Sequence, residues 1–127
     1  MKKKNIVIIG STGSIGASAL SSLKKELKNF HVLALCANED ADKLKKQAKE
    51  FRPKYAAIVN PKKEKLLRGI KGVKILSGPK SMEALASLPE ADIVLLSVSG
   101  AAAIKPLLAA VKAGKRVALA NKEALVM

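Results

Sequence analysis

The sequence predicts an α/β domain in which a doubly wound parallel sheet lies between two layers of helices. Three observations carry that prediction. Short runs that are apolar throughout, such as Ile6-Val7-Ile8-Ile9 and Ile93-Val94-Leu95-Leu96, read as strands covered on both faces. Stretches with apolar residues at helical spacing alternate with these runs, the signature of strand–helix–strand units. The first run passes directly into glycines at every third position, Gly10, Gly13 and Gly16, within N-I-V-I-I-G-S-T-G-S-I-G over residues 5–16. Strand, glycine turn and helix start, in that order, present backbone N–H groups to a phosphate.

Length and composition narrow the field. The 127 residues correspond to one domain, and 49% apolar with 27% charged residues describes a folding chain rather than a disordered one. No apolar run approaches the roughly 20 residues of a membrane helix. The lysines at positions 2–4 precede an apolar run too short for a secretion signal. A single cysteine, Cys36, makes no internal disulfide. These features lead to the expectation of a cytoplasmic protein. The net charge of +14 raises nucleic acid as a partner, but the basic residues are nearly all lysines and aromatic content is 2%. Single-strand binders need stacking platforms that such a chain lacks, so a lysine-rich solvated surface is expected instead.

Taken in order, the first helix is expected over 14–28, with Ile15, Ala19, Leu23 and Leu27 facing the sheet and Asn29 ending it. His31–Ala37 is the second strand, with Cys36 a small core residue. Asp40 is placed to cap a helix over 41–50 whose apolar face is Leu44, Ala48 and Phe51, and Pro53 stops it. Tyr55–Val59 is the third strand. Asn60-Pro61 opens a short helix packed by Leu66 and Leu67. Val73–Leu76 reads as a short edge strand and 81–87 as a small helix ended by Pro89. Ala91–Ser97 resumes the buried pattern. A helix over 101–113 tolerates Pro106 near its start and closes at Gly114. Lys115–Leu119 is the last strand.

Right-handed crossovers make 3-2-1-4-5 the simplest order for the buried strands, a Rossmann-type three-layer α/β/α arrangement. The loops Gly10–Gly16, Ala37–Asp40 and Ser97–Gly100 then meet on one sheet edge, with Asn121–Glu123 beside them. Gly10 would permit the turn, Gly13 would let a pyrophosphate approach the backbone, and Gly16 would let the helix pack on the strand. Ser11, Thr12 and Ser14 would add hydroxyl donors. The alternative is a glycine turn with no ligand. At the end of the second strand, Glu39 and Asp40 suit a ribose hydroxyl of NAD, whereas Asp40 as a cap and Lys43 one turn on suit a 2′-phosphate; both readings stay open. Asn121-Lys122-Glu123 likewise either serves a ligand or caps a helix. No metal cluster, nucleophile elbow or catalytic triad is visible, and no catalytic residue is assigned.

G-S-T-G-S-I-G at 10–16 and A-L-A-N-K-E-A-L-V at 118–126 resemble the N-terminal domain of the 1-deoxy-D-xylulose-5-phosphate reductoisomerase family. E-F-R-P-K-Y-A-A-I at 50–58 and S-V-S-G-A-A at 97–102 are similar too, so the resemblance spans 1–127 as a single NADPH-binding domain. It implies an oxidoreductase and isomerase of isoprenoid precursor synthesis, using NADPH and divalent magnesium or manganese. The reaction rearranges deoxyxylulose phosphate, a phosphorylated sugar, to an aldehyde and reduces it to 2-C-methyl-D-erythritol 4-phosphate. Thr12, Gly13, Ser14 and Ile15, with Gly10, would bind the pyrophosphate, and Asn38, Glu39 and Asp40 the 2′-phosphate end. Asn121 and Glu123 would lie near the nicotinamide half, and Lys122 would reach the substrate.

The family's basic loop after the second strand is replaced here by Asn38-Glu39-Asp40. Its metal carboxylates and catalytic domains lie beyond the N-K-E motif, so this chain reads as the front third of a homodimeric enzyme, cofactor-binding but inactive alone. Two alternatives stand beside this. A semialdehyde-dehydrogenase-like cofactor domain would need a catalytic cysteine, for which Cys36 is badly placed. A nucleotide-binding module without chemistry is the other.

Overall fold

A computed structural model of the chain describes residues 2–119. Six strands form one parallel sheet: β1 (Lys4–Ile9), β2 (Phe30–Ala37), β3 (Tyr55–Ile58), β4 (Lys74–Ser77), β5 (Ile93–Leu96) and β6 (Arg116–Leu119). Their spatial order is β4-β3-β2-β1-β5-β6. This is the expected order with Lys74–Ser77 added at the edge, where its half-exposed residues are at home. Four helices connect the strands: α1 (Ser14–Leu23), α2 (Ala41–Phe51), α3 (Ser81–Ala86) and α4 (Ile104–Lys112). Short 3-10 turns follow α1 at Lys24–Glu26, precede α4 at Gly100–Ala103 and replace the expected helix at Pro61–Leu67.

The centre of the sheet is dry on both faces, as its unbroken apolar runs require. Val7 and Ile9 of β1 join one core with Met82, Leu85 and Ala110 from α3 and α4. Ile6 and Ile8 join the other with Leu20 of α1 and Leu44 and Ala48 of α2. A fully buried aliphatic side chain contributes about 1.5–3 kcal/mol, so β1, with Val7, Ile8 and Ile9 at 0% exposure, anchors both layers.

Two local expectations are corrected. The sheet-facing side of α1 is Gly16, Leu20 and Leu23, whereas Ile15 and Leu27 are exposed at 52% and 45%. The cause is Gly16. A Cβ there would overlap the Gly10 carbonyl oxygen and come within 2.7 Å of the Ser11 Cα. The helix therefore turns its bare position, not an apolar side chain, towards the strand end. In the Pro61–Leu67 turn only Leu67 is buried; Leu66 stays 46% exposed, because a 3-10 turn does not bring both leucines to one side.

The strand order reverses between β1 and β5, since β1 leads outward to β2, β3 and β4 on one side while β5 and β6 lie on the other. A crevice opens at the carboxyl ends of strands at such a reversal.

Candidate functional site

At that reversal the chain is packed backbone against backbone. Gly10 has φ +89°, and a Cβ on it would lie 2.6 Å from the Ser97 carbonyl oxygen. Only glycine adopts that angle without strain and also leaves room for β5's end. The Ser97 hydroxyl stands 3.0 Å from the Ile9 carbonyl oxygen and 2.9 Å from that of Gly10, donating its proton to this pair. From the other side, the Cys36 carbonyl accepts both Gly10 N–H at 2.8 Å and Ser11 N–H at 3.0 Å. The glycine turn is thus fixed between β2 and β5.

Gly13 differs from its neighbours. Its φ is −73°, and a Cβ there would meet only the Gly10 carbonyl oxygen at an ordinary 3.7 Å. Nothing in the fold requires glycine at this position. It is the N-cap of α1, where no side chain caps the helix and the first turn carries no acidic residue. The first amides of a helix have no internal acceptor, and the helix dipole adds partial positive charge at the same place. This uncapped start borders a cleft of about 510 Å³ whose walls include Gly10, Thr12, Gly13, Asn38, Ser97 and Ser99. Val59, Pro79, Met82, Glu83 and Lys105 also line it.

The expected site residues therefore sort clearly. Gly10, Thr12, Gly13 and Asn38 meet at one cleft, and Ser14 and Ile15 are exposed at the helix start beside it. Ser11 does not join them. It is fully buried, and its hydroxyl has no hydrogen-bond partner among the described residues, so it is not the donor the sequence suggested. Glu39 and Asp40 flank a separate hollow shared with Asp42 and Lys63. The Asp40 carboxylate accepts the Lys43 N–H at 3.0 Å, the capping contact expected of it. The Glu39 carboxylate accepts the Asn60 side-chain amide at 3.1 Å. Asn121, Lys122 and Glu123 lie outside the described residues.

Sequence reasoning missed the bonds of Ser97, the cleft-lining Lys105, and Gln47, whose side-chain amide donates to the Ser11 carbonyl at 2.8 Å. Only the position of Ser97 after a buried strand pointed to any of them. Cys36 is fully buried on β2, and burial pushes its thiol up to about 12; it is a core residue without nucleophilic character. Among the described residues, no three His, Cys, Asp or Glu side chains gather as a metal ion would need. No helix there is long and apolar enough to cross a membrane.

The family model described as 1-deoxy-D-xylulose 5-phosphate reductoisomerase matches residues 6–127. Relatives of that name from Methylococcus capsulatus and Haemophilus influenzae are 47% and 46% identical over 98% and 99% of the chain. The chain spans about a third, 33%, of the length of each. Among solved structures, the reductoisomerase from Zymomonas mobilis in complex with NADPH superposes with a TM-score of 0.92 at 34% identity, over 98% of this chain and 34% of that one. A reductoisomerase in complex with NADPH, fosmidomycin and magnesium gives 0.91 at 36% identity, over 98% and 31%.

Proposed function

This chain belongs to the 1-deoxy-D-xylulose 5-phosphate reductoisomerase family, and on that premise we propose that it is the NADPH-binding domain of such an enzyme. One observation carries the reading: a glycine turn fixed on two strands delivers an uncapped helix start to a cleft at the sheet's reversal. The donor set suits a diphosphate. Thr12, Ser14 and Ile15 offer main-chain N–H groups, while the Gly13 N–H closes the turn on the Gly10 carbonyl at 3.3 Å and its bare Cα lets an anion come close. The exposed Ile15 side chain offers apolar cover beside them.

Preference for the 2′-phosphorylated cofactor is supported by what the two acids at the end of β2 already hold. Asp40 is turned onto its own helix and Glu39 onto Asn60, and both acids flank a separate hollow rather than lining the cleft. Asn38 lines the cleft between them and the glycine turn. The net charge of +14 also favours the more anionic ligand. NADPH, when bound, supplies a hydride; the residues described here bind and orient it.

In the intact protein, the family's activity would follow: deoxyxylulose phosphate is rearranged to an aldehyde and reduced to methylerythritol phosphate. Asn121 and Glu123 would serve the nicotinamide half and Lys122 the phosphorylated substrate. Residues 2–119 bring no metal ligands together, so no step through magnesium or manganese is assigned to them. The resemblance also supports a cytoplasmic homodimer.

The test is a titration of the chain with NADPH and with NADH. Tighter binding of NADPH, narrowing at high salt, is expected; tighter NADH binding would place the carboxylates on the ribose and overturn the assignment. In the intact enzyme, Lys122→Ala should weaken the phosphorylated substrate about ten- to a hundredfold, the worth of a charged hydrogen bond at roughly 1.5–3 kcal/mol. Equal losses for NADPH would move Lys122 to the cofactor.

A further inference from the structure

Gln47 is out of character with its surroundings. It lies on the inner face of α2 among Ala41, Leu44 and Ala48, and is 9% exposed. One end of its amide donates to the Ser11 carbonyl at 2.8 Å, while its own oxygen has no partner among the described residues. A leucine or methionine would fill the same space without burying an unpaired acceptor, which disfavours Gln47 for stability alone.

What the bond does follows from peptide geometry. The Ser11 carbonyl and the Thr12 N–H belong to one planar trans unit, so they point in opposite directions. Drawing the carbonyl inward to α2 turns the N–H outward. Thr12 lines the cleft, and its N–H has no backbone acceptor among the described residues. The preceding peptide is fixed likewise, with the Ser11 N–H on the Cys36 carbonyl and the Gly10 carbonyl beside the Ser97 hydroxyl. Gln47 holds a peptide of this turn that neither β2 nor β5 reaches.

We propose that Gln47 is a positioning residue of the dinucleotide cradle: by engaging the Ser11 carbonyl it aims the Thr12 N–H at the cofactor's diphosphate. The proposal rests on the cofactor reading above. It also says that α2, through a side chain remote from the ligand, sets the affinity of the turn.

Two variants test it. Gln47→Leu should melt at or above the temperature of the parent protein yet bind NADPH roughly tenfold more weakly, as expected for one misaligned hydrogen bond to a charged group. Gln47→Glu should bind more weakly still at pH 8, where a carboxylate would face the Ser11 carbonyl. It should recover relative to the parent protein as pH falls and the buried, raised-pKa carboxyl becomes protonated and donates again; NADP+, which survives acid, is the probe there. Hydrogen exchange of the segment 9–16 without ligand, read by mass spectrometry, should speed up in Gln47→Leu while the strands stay protected. If the parent protein fails to bind NADPH, the cofactor reading falls, while the exchange result still decides whether Gln47 orders the turn. Parent-like affinity and exchange in Gln47→Leu, or a Gln47→Glu variant with no pH-dependent recovery, would overturn the proposal.

Discussion

The starts of α1 and α2 are built from the same parts and finished in opposite ways. Each follows a buried parallel strand, each opens on the same edge of the sheet, and each presents backbone N–H groups with partial positive charge. At α2 the chain supplies its own anion: Asp40 accepts the Lys43 N–H, and Asp42 adds a second acid in the first turn. At α1 it supplies none, and the N-cap is a glycine that the backbone does not need. A helix start closed by its own carboxylate is finished as a structural element. One left bare at the mouth of a cleft keeps its first amides open to water or to an anion. The contrast distinguishes these two turns more sharply than glycine content does.

The comparison breaks most visibly at Gly16. Gly16→Ala would drive a methyl group into the Gly10 carbonyl, and such overpacking against backbone should cost upwards of about 3 kcal/mol. The melting temperature should fall on the order of 10 °C, with cofactor binding lost as a by-product. Gly13→Val should do the reverse. Its Cβ meets only an ordinary contact within the fold, so stability should drop by no more than about 1 kcal/mol, the cost of a poorer N-cap. NADPH affinity should fall about a hundredfold, the loss of two charge-assisted bonds at roughly 1.5 kcal/mol each. Calorimetry showing unchanged affinity would make the α1 turn as self-contained as that of α2. The smallest effect is expected at α2 itself. Asp40→Asn keeps a capping oxygen and removes a charge, so melting should be unchanged. The preference for NADPH over NADH should rise about two- to fivefold at low salt and less at high salt, as for a partly screened charge. A melting drop without any change in preference would show that the 2′-phosphate lies elsewhere.

These same residues show what the sequence could tell. The strands were legible because a strand covered on both faces must be apolar at every position, as in β1. Caps were legible at Asp40 and Asn60, because each side chain bonds to a backbone N–H two or three residues away. The face of α1 was not. The close packing of Gly16 on the strand was expected, but hydrophobic periodicity gives glycine no weight, so its consequence, that Ile15 is left outside, was not. Ser11 was misjudged for a related reason: a hydroxyl in a glycine turn looks available, while its direction is set by tertiary bonds to Cys36 and Gln47. Gln47 itself reads as one more polar side chain on a helix, since nothing local shows that its partner is 36 positions away.

Cys36 gives the molecule a stopwatch. Its sulfur is sealed in the core between β2 and the α3–α4 layer, and burial raises its pKa, so an alkylating reagent can react only when β2 detaches or that layer lifts. Its carbonyl, however, holds the first two amides of the glycine turn. Any opening that frees the sulfur by detaching β2 from β1 also releases the turn. Because α3 and α4 carry Met82, Glu83 and Lys105 of the cleft wall, labelling of this one thiol counts openings that undo the turn or the wall, and a bound dinucleotide should slow it by up to the factor 1 + [L]/Kd. A rate indifferent to saturating NADPH would mean that the sulfur is reached while the ligand stays in place.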